Sequence, residues 1–544
     1  MKVEQSGAQV LGGRIRRVAL ASAVAQALGE IIALGQTVVV ARLLSPAEVG
    51  IFAAGTVLTA FLAEFSEGGL RSALVNREDD VEEAAETVFW ATLISGLVLS
   101  LCALAAAPLI ALIFDSSTAG LIAATSAGGL LLYSAANVPE AFLQREFSVQ
   151  RRLIVGPAIA IAFAAVTITL AALGAGPWSL VAGTYASYLT LLVTVWLLCG
   201  WRPRRAQPSI QMWRTLARYG FPLITASIAS KARQLAEALV VGRAVDTVAL
   251  GQYRYGLRIA RVPANALIEV VAYALFPAFS RIAGDGARLG AAYIRALSAV
   301  TICAAPVSGL MFAIGEPLVV IVLGEPWRGA GILVTAMAGL GLGKGFASVS
   351  EEAIKGSGRT SLINRFTAVE IVLGLGLLVM VIPFGLVGVG LAVSITALVV
   401  GIQCVVGAHG VLGTRAKDVM RATILPVTAA VLAAAGVALL ERDVLNADDR
   451  PLPVALALLA LEGLAFLVVY LGVLAIISPA ALKQLYGALR RGNTPAPRAR
   501  HRADGRPAGS AGPPLSGTEA AKGCSANRAQ HRVRVTNDRG ADTD

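Results

Sequence analysis

The sequence predicts an all-α polytopic membrane protein with about 14 transmembrane helices, organised as two parallel-repeat six-helix bundles and two additional C-terminal helices. Two observations lead to this fold class. Fourteen apolar stretches of spanning length, joined by short loops, occupy residues 18–477, and a helix crosses a bilayer in roughly 20 mostly apolar residues. The composition is 56% hydrophobic and 15% charged, whereas soluble domains carry about 25% charged residues.

The apolar stretches define the predicted spans in chain order. Arg14, Arg16 and Arg17 precede the first stretch, which is too long for the apolar region of a cleavable signal peptide, so we expect no such peptide. The stretch at 118–137 is rich in small residues, and counts of twelve or thirteen spans are alternatives. We place the spans at residues 18–40, 47–66, 87–113, 118–137, 153–174, 177–200, 219–241, 249–275, 293–313, 329–350, 363–384, 386–407, 422–440 and 452–477.

Basic residues in the loops predict the orientation of the chain. Lysine and arginine accumulate in cytoplasmic loops, and alternate loops of this chain are rich in them, as at Arg202, Arg204 and Arg205. The opposite loops hold few: Arg42, Arg243, Arg328, Arg442 and Arg450. We therefore expect a multi-pass protein of the cell inner (cytoplasmic) membrane with both termini cytoplasmic. The net charge of +12 is then an orientation signal that also suits anionic membrane lipids, and it does not indicate a nucleic-acid partner.

A weak internal repeat predicts the domain organisation. Arg42 matches Arg243 and Gly50 matches Gly251, at equivalent places six spans apart, so the two copies have the same orientation. Parallel repeats of this kind recur in transporters, with the substrate site between the halves. The predicted units are a six-helix bundle at 1–210, a second at 211–410, two additional transmembrane helices at 411–491 and a disordered basic tail at 492–544.

Three arginines lie within the eighth predicted span. Arg254, Arg258 and Arg261 follow i, i+4, i+7 spacing, which puts them on one helix face. A charge at the bilayer centre costs roughly 2.5–3.5 kcal/mol, so we expect the row to line a water-filled cavity, where guanidinium groups bind an anionic headgroup through their planar fork of donors. Ion pairing within the bundle, or snorkelling to the outer interface, is the alternative.

The seventh predicted span adds further charged candidates. Lys231, Arg233 and Glu237 lie within it, and Glu237 either neutralises one of the two basic residues or takes part in substrate binding. Lys344 and Glu370 are isolated in later spans and are interpreted as packing partners.

Other patterns exclude several classes of site. The five cysteines are scattered, and the three histidines lie in a loop and the tail, so neither a disulfide framework nor a metal site is predicted. The glycine-rich segment Gly339–Ala347 lacks the Gly-Lys-Ser/Thr ending of a phosphate loop and lies inside a span. No Ser-His-Asp or Cys-His arrangement is present within the spans. We expect no cofactor and no enzymatic activity.

Seven short motifs occur in a characteristic order along the chain. Together they resemble the bacterial oligosaccharide flippases, the polysaccharide transporter family of the multidrug/oligosaccharidyl-lipid/polysaccharide exporter superfamily, over roughly residues 10 to 480. Where this chain has Glu237, that family often has aspartate. The motifs are ARLLSPAEVGIFAAG from Ala41, GLRSALVNRED from Gly69, AFLQREF from Ala141, GPWSLVAG from Gly176, EALVVGRAVDTVALGQYRYGLRIARVP from Glu237, LFPAFSRI from Leu275 and LGEPW from Leu323.

The resemblance implies a V-shaped pair of six-helix bundles that alternates between inward-facing and outward-facing states. It implies a polyprenyl-pyrophosphate-linked oligosaccharide as substrate, destined for O-antigen, capsule or exopolysaccharide, with membrane lipids and other polysaccharide assembly proteins as partners. Two alternatives stay open. One is a drug/cation antiporter of the same superfamily, which calls for intramembrane acids, and the other is a membrane glycan polymerase or glycosyltransferase, which usually needs a long extramembrane loop.

Overall fold

The structure is a computed structural model that describes residues 29–30, 32–67, 69–145, 149–203, 208–282, 284–359, 361–445 and 447–479. Every regular element in these ranges is helical. The beginning of the first predicted span and the predicted tail at 492–544 lie outside the described residues. The helices are α1 (Ile32–Leu43), α2 (Pro46–Glu67), α3 (Leu70–Val75), α4 (Val81–Ile113), α5 (Ser117–Ser126), α6 (Gly128–Arg145), α7 (Val149–Ala172), α8 (Trp178–Leu198), α9 (Ile210–Ala244), α10 (Thr247–Arg281), α11 (Gly286–Leu323), α12 (Arg328–Ala336), α13 (Gly339–Gly356), α14 (Ser361–Val381), α15 (Gly385–Leu412), α16 (Ala416–Leu440) and α17 (Leu452–Ile477).

The long apolar helices confirm the predicted fold class. Within the described ranges, nine helices are long and apolar enough to cross a membrane, or ten if α12 and α13, bent by 43° at their junction, form one span. One of the nine, Ser361–Leu412, is 52 residues long and covers two predicted spans, which a turn at Ile382–Phe384 separates. The exact count of fourteen stays a prediction, as do the domain boundaries.

Helices α9 and α10 carry the charged candidate residues and are each 35 residues long. At 1.5 Å per residue each is about 50 Å long, more than the roughly 30 Å of a bilayer's hydrocarbon core. Side-chain caps fix where they begin. The Ser209 hydroxyl accepts a hydrogen bond from the Met212 amide at α9, and the Asp246 carboxylate accepts one from the Ala249 amide at α10, which satisfies amides that have no partner within the helix.

Helices α2 and α10 touch through the two glycines that the internal repeat matches. A Cβ atom added to Gly50 would lie 1.7 Å from the Thr247 carbonyl oxygen, and one added to Gly251 would lie 2.0 Å from the Pro46 carbonyl oxygen. Pro46 and Thr247 are themselves matched by the same offset as the glycines. The contact is therefore reciprocal, as is expected of two repeats that meet across a pseudo-two-fold axis; the repeat itself stays a prediction.

Side-chain hydrogen bonds connect α1 to the end of α11 and to Trp327. The Arg42 guanidinium of α1 donates to the carbonyl oxygens of Ile321 and Val322 in the last turn of α11, where a cation also suits the helix dipole. The buried Trp327 donates from Nε1 to the Ala41 carbonyl at 2.8 Å and stacks on Tyr255. Helices from the first and second predicted repeats are thus held together at this end.

The last two helices, α16 and α17, pack on α11. Phe466 and Tyr470 of α17 are buried in this contact, and the Tyr470 hydroxyl donates to the Ile302 carbonyl at 3.0 Å. The connection between α16 and α17 includes a π-helical turn at Glu441–Leu445. This segment is also fixed by the ion pair between Arg328 and Asp448 at 2.8 Å.

Candidate functional site

A cavity of about 90 Å³ with charged side chains in a largely apolar wall lies among α9, α10, α13, α14 and α15. Its walls contain three basic and two acidic side chains drawn from four helices, together with a threonine of α15. These residues are Arg233, Glu237, Arg261, Lys344, Glu370 and Thr396. Charges are rare in membrane-spanning segments and usually face the bundle interior, so this cluster is a candidate functional site.

Two ion pairs neutralise both acids of the cavity. Arg233 Nη1 pairs with Glu237 Oε1 within α9, and the Tyr253 hydroxyl donates to Glu237 Oε2 at 3.1 Å. Lys344 Nζ pairs with Glu370 Oε1 at 2.9 Å. Arg233 Nη2 also lies 3.9 Å from Glu370 Oε1. The four charges form one network that connects α9, α13 and α14.

Arg261 is the surplus cation of this cavity. In the part of the chain that the structure describes, no ion pair or hydrogen bond engages its guanidinium group. Three cations and two acids leave the cavity with a net charge of +1 when all five groups are ionised. The Thr396 hydroxyl in the same wall is buried and has no hydrogen-bond partner among the described residues. The cavity therefore presents hydrogen-bond donors and positive charge to a ligand.

The other two arginines of α10 lie outside the cavity and contact α1 and α2. The Arg254 guanidinium carbon lies 5.5 Å from the centre of the Phe52 ring of α2, within the range of a cation–π contact. Arg258 Nη2 donates to the Ala33 carbonyl of α1 at 3.1 Å. Both side chains are exposed, and no acid among the described residues neutralises either. They form the edge of α10 that faces α1 and α2.

The structure thus divides the six residues predicted from the sequence. Arg233, Glu237 and Arg261 line the cavity, whereas Arg254 and Arg258 do not. Lys231 is half-buried elsewhere on α9, because residues two positions apart lie about 200° apart around a helix.

Sequence reasoning did not find all of the cavity. It treated Lys344 and Glu370 as isolated packing partners, yet they pair with each other inside this site. Two opposite charges in adjacent predicted spans were the signal available for this pair. Tyr253 and Thr396 gave no comparable signal.

The comparisons with known proteins first define the class. The fold is similar to that of a lipid II flippase, MurJ, in an inward closed conformation, with a TM-score of 0.69 and 15% identity over 87% of this chain and 100% of the other. It is also similar to an inward-facing multidrug resistance MATE family transporter of the MOP superfamily, with a TM-score of 0.58 and 18% identity over 71% of this chain and 94% of the other. At these identities the likeness shows the fold alone, that of a polytopic helical membrane protein.

The sequence comparisons then define the family. The profile of the family described as polysaccharide biosynthesis protein matches residues 39–331, and the chain belongs to this family. It is 27% identical over 289 residues to the succinoglycan biosynthesis transport protein ExoT of Rhizobium meliloti (strain 1021), covering 53% of this chain and 58% of ExoT. It is 23% identical over 307 residues to the lipopolysaccharide biosynthesis protein WzxC of Escherichia coli (strain K12), covering 55% of this chain and 61% of WzxC. The chain spans about three-fifths of the length of these curated relatives. The predicted family resemblance is confirmed.

Proposed function

We propose that this protein is a flippase that moves a polyprenyl-pyrophosphate-linked oligosaccharide across the cytoplasmic membrane by alternating access. The oligosaccharide serves assembly of a cell-surface polysaccharide, either O-antigen, capsule or exopolysaccharide. The substrate crosses the membrane without chemical change, so the protein is a transporter and not an enzyme. Membership of the polysaccharide biosynthesis family and the names of the two relatives, a transport protein and a lipopolysaccharide biosynthesis protein, support this class of substrate.

The observation that carries the proposal is the row of unneutralised arginines on α10. Arg254 and Arg258 face α1 and α2 without an acidic partner among the described residues, and Arg261 adds the surplus charge of the cavity. A pyrophosphate diester carries negative charge and strong acceptor oxygens, and arginine binds such groups through two parallel hydrogen bonds. The three side chains offer the pyrophosphate a cationic path along one helix. Arg233, Glu237 and Lys231 on α9 are proposed as the second wall of this path.

The rest of the substrate suits a cleft between helical bundles in a membrane. The sugars are polar and need water or hydrogen-bonding groups, whereas the polyprenyl chain is apolar and remains in lipid at an open seam. Alternating access requires that the contact between the halves break at one end and form at the other. The contact of α2 with α10 through Gly50 and Gly251 is a contact of this kind.

Topology and domain organisation complete the proposal. We infer an inner-membrane protein with both termini in the cytoplasm, with bundles at 1–210 and 211–410 and two additional helices at 411–491. The end of the molecule where Arg42 and Trp327 bridge α1 to α11 then faces away from the cytoplasm. In this proposal the lipid-linked precursor is assembled on the cytoplasmic side of the membrane. The end that Arg42 and Trp327 hold together is therefore the end that must open to release the substrate.

The acids of the cavity argue against the antiporter alternative. A cationic drug requires an intramembrane carboxylate that is free to receive it. Here Glu237 is held by Arg233 and Tyr253, and Glu370 is held by Lys344. The net charge of the cavity repels cations and attracts anions.

The proposal is tested by transport of a labelled polyprenyl-pyrophosphate oligosaccharide in proteoliposomes, normalised to reconstituted protein. Arg254→Ala, Arg258→Ala and Arg261→Ala should each reduce flipping at normal protein abundance. A hydrogen bond to a charged group contributes about 1.5–3 kcal/mol. Each alanine substitution should therefore weaken substrate binding by roughly 10- to 150-fold. Lysine at the same positions should restore part of the activity, because it keeps the charge and loses the two-pronged geometry.

Arg288→Ala is the matched control, because Arg288 is a largely exposed arginine at the start of α11 and should have no effect. Normal transport in all three α10 variants would refute the binding role. Transport that falls only in proportion to protein abundance would assign these arginines to structure instead. Transport of cationic drugs with no movement of the lipid-linked glycan would favour the antiporter.

A further inference from the structure

A pair of buried carboxyl groups lies in the last two helices, remote in sequence from the arginine-lined cavity. Glu462 is the one charged residue of α17, and it is 1% exposed. Glu441 begins the π-helical turn after α16 and is 5% exposed. The Glu462 and Glu441 carboxyl groups interact with each other, and α17 packs against α16, the helix that ends at Glu441. An ionised acid inside a membrane is unfavourable, and two ionised acids side by side also repel each other.

Most of the oxygen atoms of this pair have no donor. Glu441 Oε1 accepts a hydrogen bond from the Ala447 amide at 2.9 Å. Glu441 Oε2 and both carboxyl oxygens of Glu462 are buried without a hydrogen-bond partner among the described residues. A buried acceptor without a donor is destabilising, and more so when it is charged. The pair therefore needs a hydrogen-bond donor other than the N–H and O–H groups of the described residues around it.

No cation among the described residues supplies it. The elements packed against α17 are α11, α16 and the short turn Ala447–Asp449. Two charged groups of these elements have a partner of their own, since Glu316 and Asp448 both pair with Arg328. The remaining charged and titratable groups of these elements include one half-buried acid, Asp418, and the exposed groups Arg295, Cys303, Lys417, Arg421, Arg442, Asp443 and Asp449. Arg288 pairs with Asp285 at the start of α11. Tyr293 forms a hydrogen bond with Ser350, and Tyr470 donates one to the Ile302 carbonyl.

We propose that Glu441 and Glu462 share one proton and form a proton-binding site between α16 and α17. With a proton on one carboxyl group, its O–H donates to an oxygen of the other, and the charge of the pair falls from −2 to −1. One proton thus supplies the missing donor and removes the repulsion. Two interacting carboxyl groups of this kind titrate as a unit. The π-helical turn at Glu441 is consistent with a functional position, since single π-turns are frequent at functional sites.

The site also connects protonation to helix packing. Glu462 lies on the face of α17 that carries Leu459, Phe466 and Tyr470, all buried against neighbouring helices. Loss of the shared proton would leave two negative charges in that contact. Deprotonation should therefore loosen α17 from α11, and protonation should tighten it.

Infrared difference spectroscopy of the full-length purified protein in lipid nanodiscs tests the proposal. The wild-type protein should show the carbonyl stretch of a protonated carboxylic acid at neutral pH, and the band should disappear as the pH rises. Glu462→Gln and Glu441→Gln should each remove it. Glu462→Asp retains an acid and should shift the band instead. Glu83→Gln, at an exposed carboxylate in the first turn of α4, is the matched control and should leave the band unchanged.

Thermal unfolding gives an independent readout. A proton shared by the folded pair is one that the unfolded chain does not hold at neutral pH, so the proposal requires the free energy of unfolding to fall as the pH rises. Glu462→Gln removes the titrating acid while its amide still donates to Glu441, so it should fold and flatten this pH dependence.

Three results would overturn the proposal. The first is the absence of a protonated carboxyl band from the wild-type protein at neutral pH, a result that can be obtained without any variant. Another is a band that both glutamine variants leave intact. The last is a band that rising sodium concentration abolishes at fixed pH with a gain in thermal stability, because the pair would then be a sodium site.

Discussion

Alanine at Gly50 should disfavour the state in which α2 touches α10. The added Cβ atom would lie 1.7 Å from the Thr247 carbonyl oxygen and 2.7 Å from its carbonyl carbon, whereas ordinary contact begins at 3.4 Å. The shortfall at the oxygen is 1.7 Å (3.4 minus 1.7). Because the obstructing atoms are backbone, no side-chain rotation relieves the clash, and the two helices must separate.

The magnitude follows from the cost of overpacking, which is typically about 1–3 kcal/mol when backbone must move. Applied to one state of a two-state transporter, that cost shifts the equilibrium by roughly 5- to 150-fold. Gly251→Ala should act in the same direction, since its Cβ would lie 2.0 Å from the Pro46 carbonyl oxygen. In the absence of a clash, alanine would instead favour a helix over glycine by about 1 kcal/mol.

Spin labels at Ala60→Cys on α2 and Val248→Cys on α10, both exposed positions, report the separation of these two helices in a background free of native cysteine. The wild-type protein should show a short-distance population, and both alanine variants should move it to longer distances and transport more slowly. Gly472→Ala on α17, where nothing lies within 4 Å of the added atom, is the matched control. Unchanged distances and normal transport in both Gly50→Ala and Gly251→Ala would refute the reasoning.

Three further predictions concern the cavity, the orientation and the tail. Arg233→Ala should lower the thermal stability by about 3–5 kcal/mol, because it leaves the buried Glu237 without its cation, and adding Glu237→Gln should recover part of that loss in thermal unfolding. Cys524 should resist an impermeant thiol reagent in intact cells and react after permeabilisation, with Cys524→Ser as the control; reaction in intact cells would place the tail outside. Deletion of residues 493–544 should leave transport unchanged at normal protein abundance, and a loss of export by a well-inserted truncated protein would assign the tail a partner or regulatory role.

The helices could be predicted from the sequence because membrane insertion depends on local properties. Each apolar run must satisfy its own backbone hydrogen bonds in lipid, so length and hydropathy alone predict a helix. The 52-residue region Ser361–Leu412 was predicted as two spans for this reason. The bend of 43° between α12 and α13 was not predicted, since it depends on how these two short helices pack against their neighbours.

The directions of the charged side chains depended on tertiary structure. Helical spacing put Arg254, Arg258 and Arg261 on one face, but that face borders both the cavity and the helices α1 and α2, so one arginine lines the cavity and two do not. The pairing of Lys344 with Glu370 requires the relative register of α13 and α14. Sequence spacing contains no information on that register.

Two pairs of acids among the described residues, Glu237 with Glu370 and Glu441 with Glu462, differ in what surrounds them. Glu237 and Glu370 each form an ion pair with a basic side chain, and Arg261 adds a surplus cation that suits the cavity to an anion. Glu441 and Glu462 have no cationic partner among the described residues, so in this proposal their charge depends on a proton. If transport depends on pH, the dependence should therefore originate in α16 and α17 and not at the arginines. Glu462→Gln should then remove the pH dependence of transport while the loss of flipping caused by Arg258→Ala stays the same at every pH. A pH dependence that survives Glu462→Gln would place the titrating group elsewhere and leave the arginine-lined path unaffected.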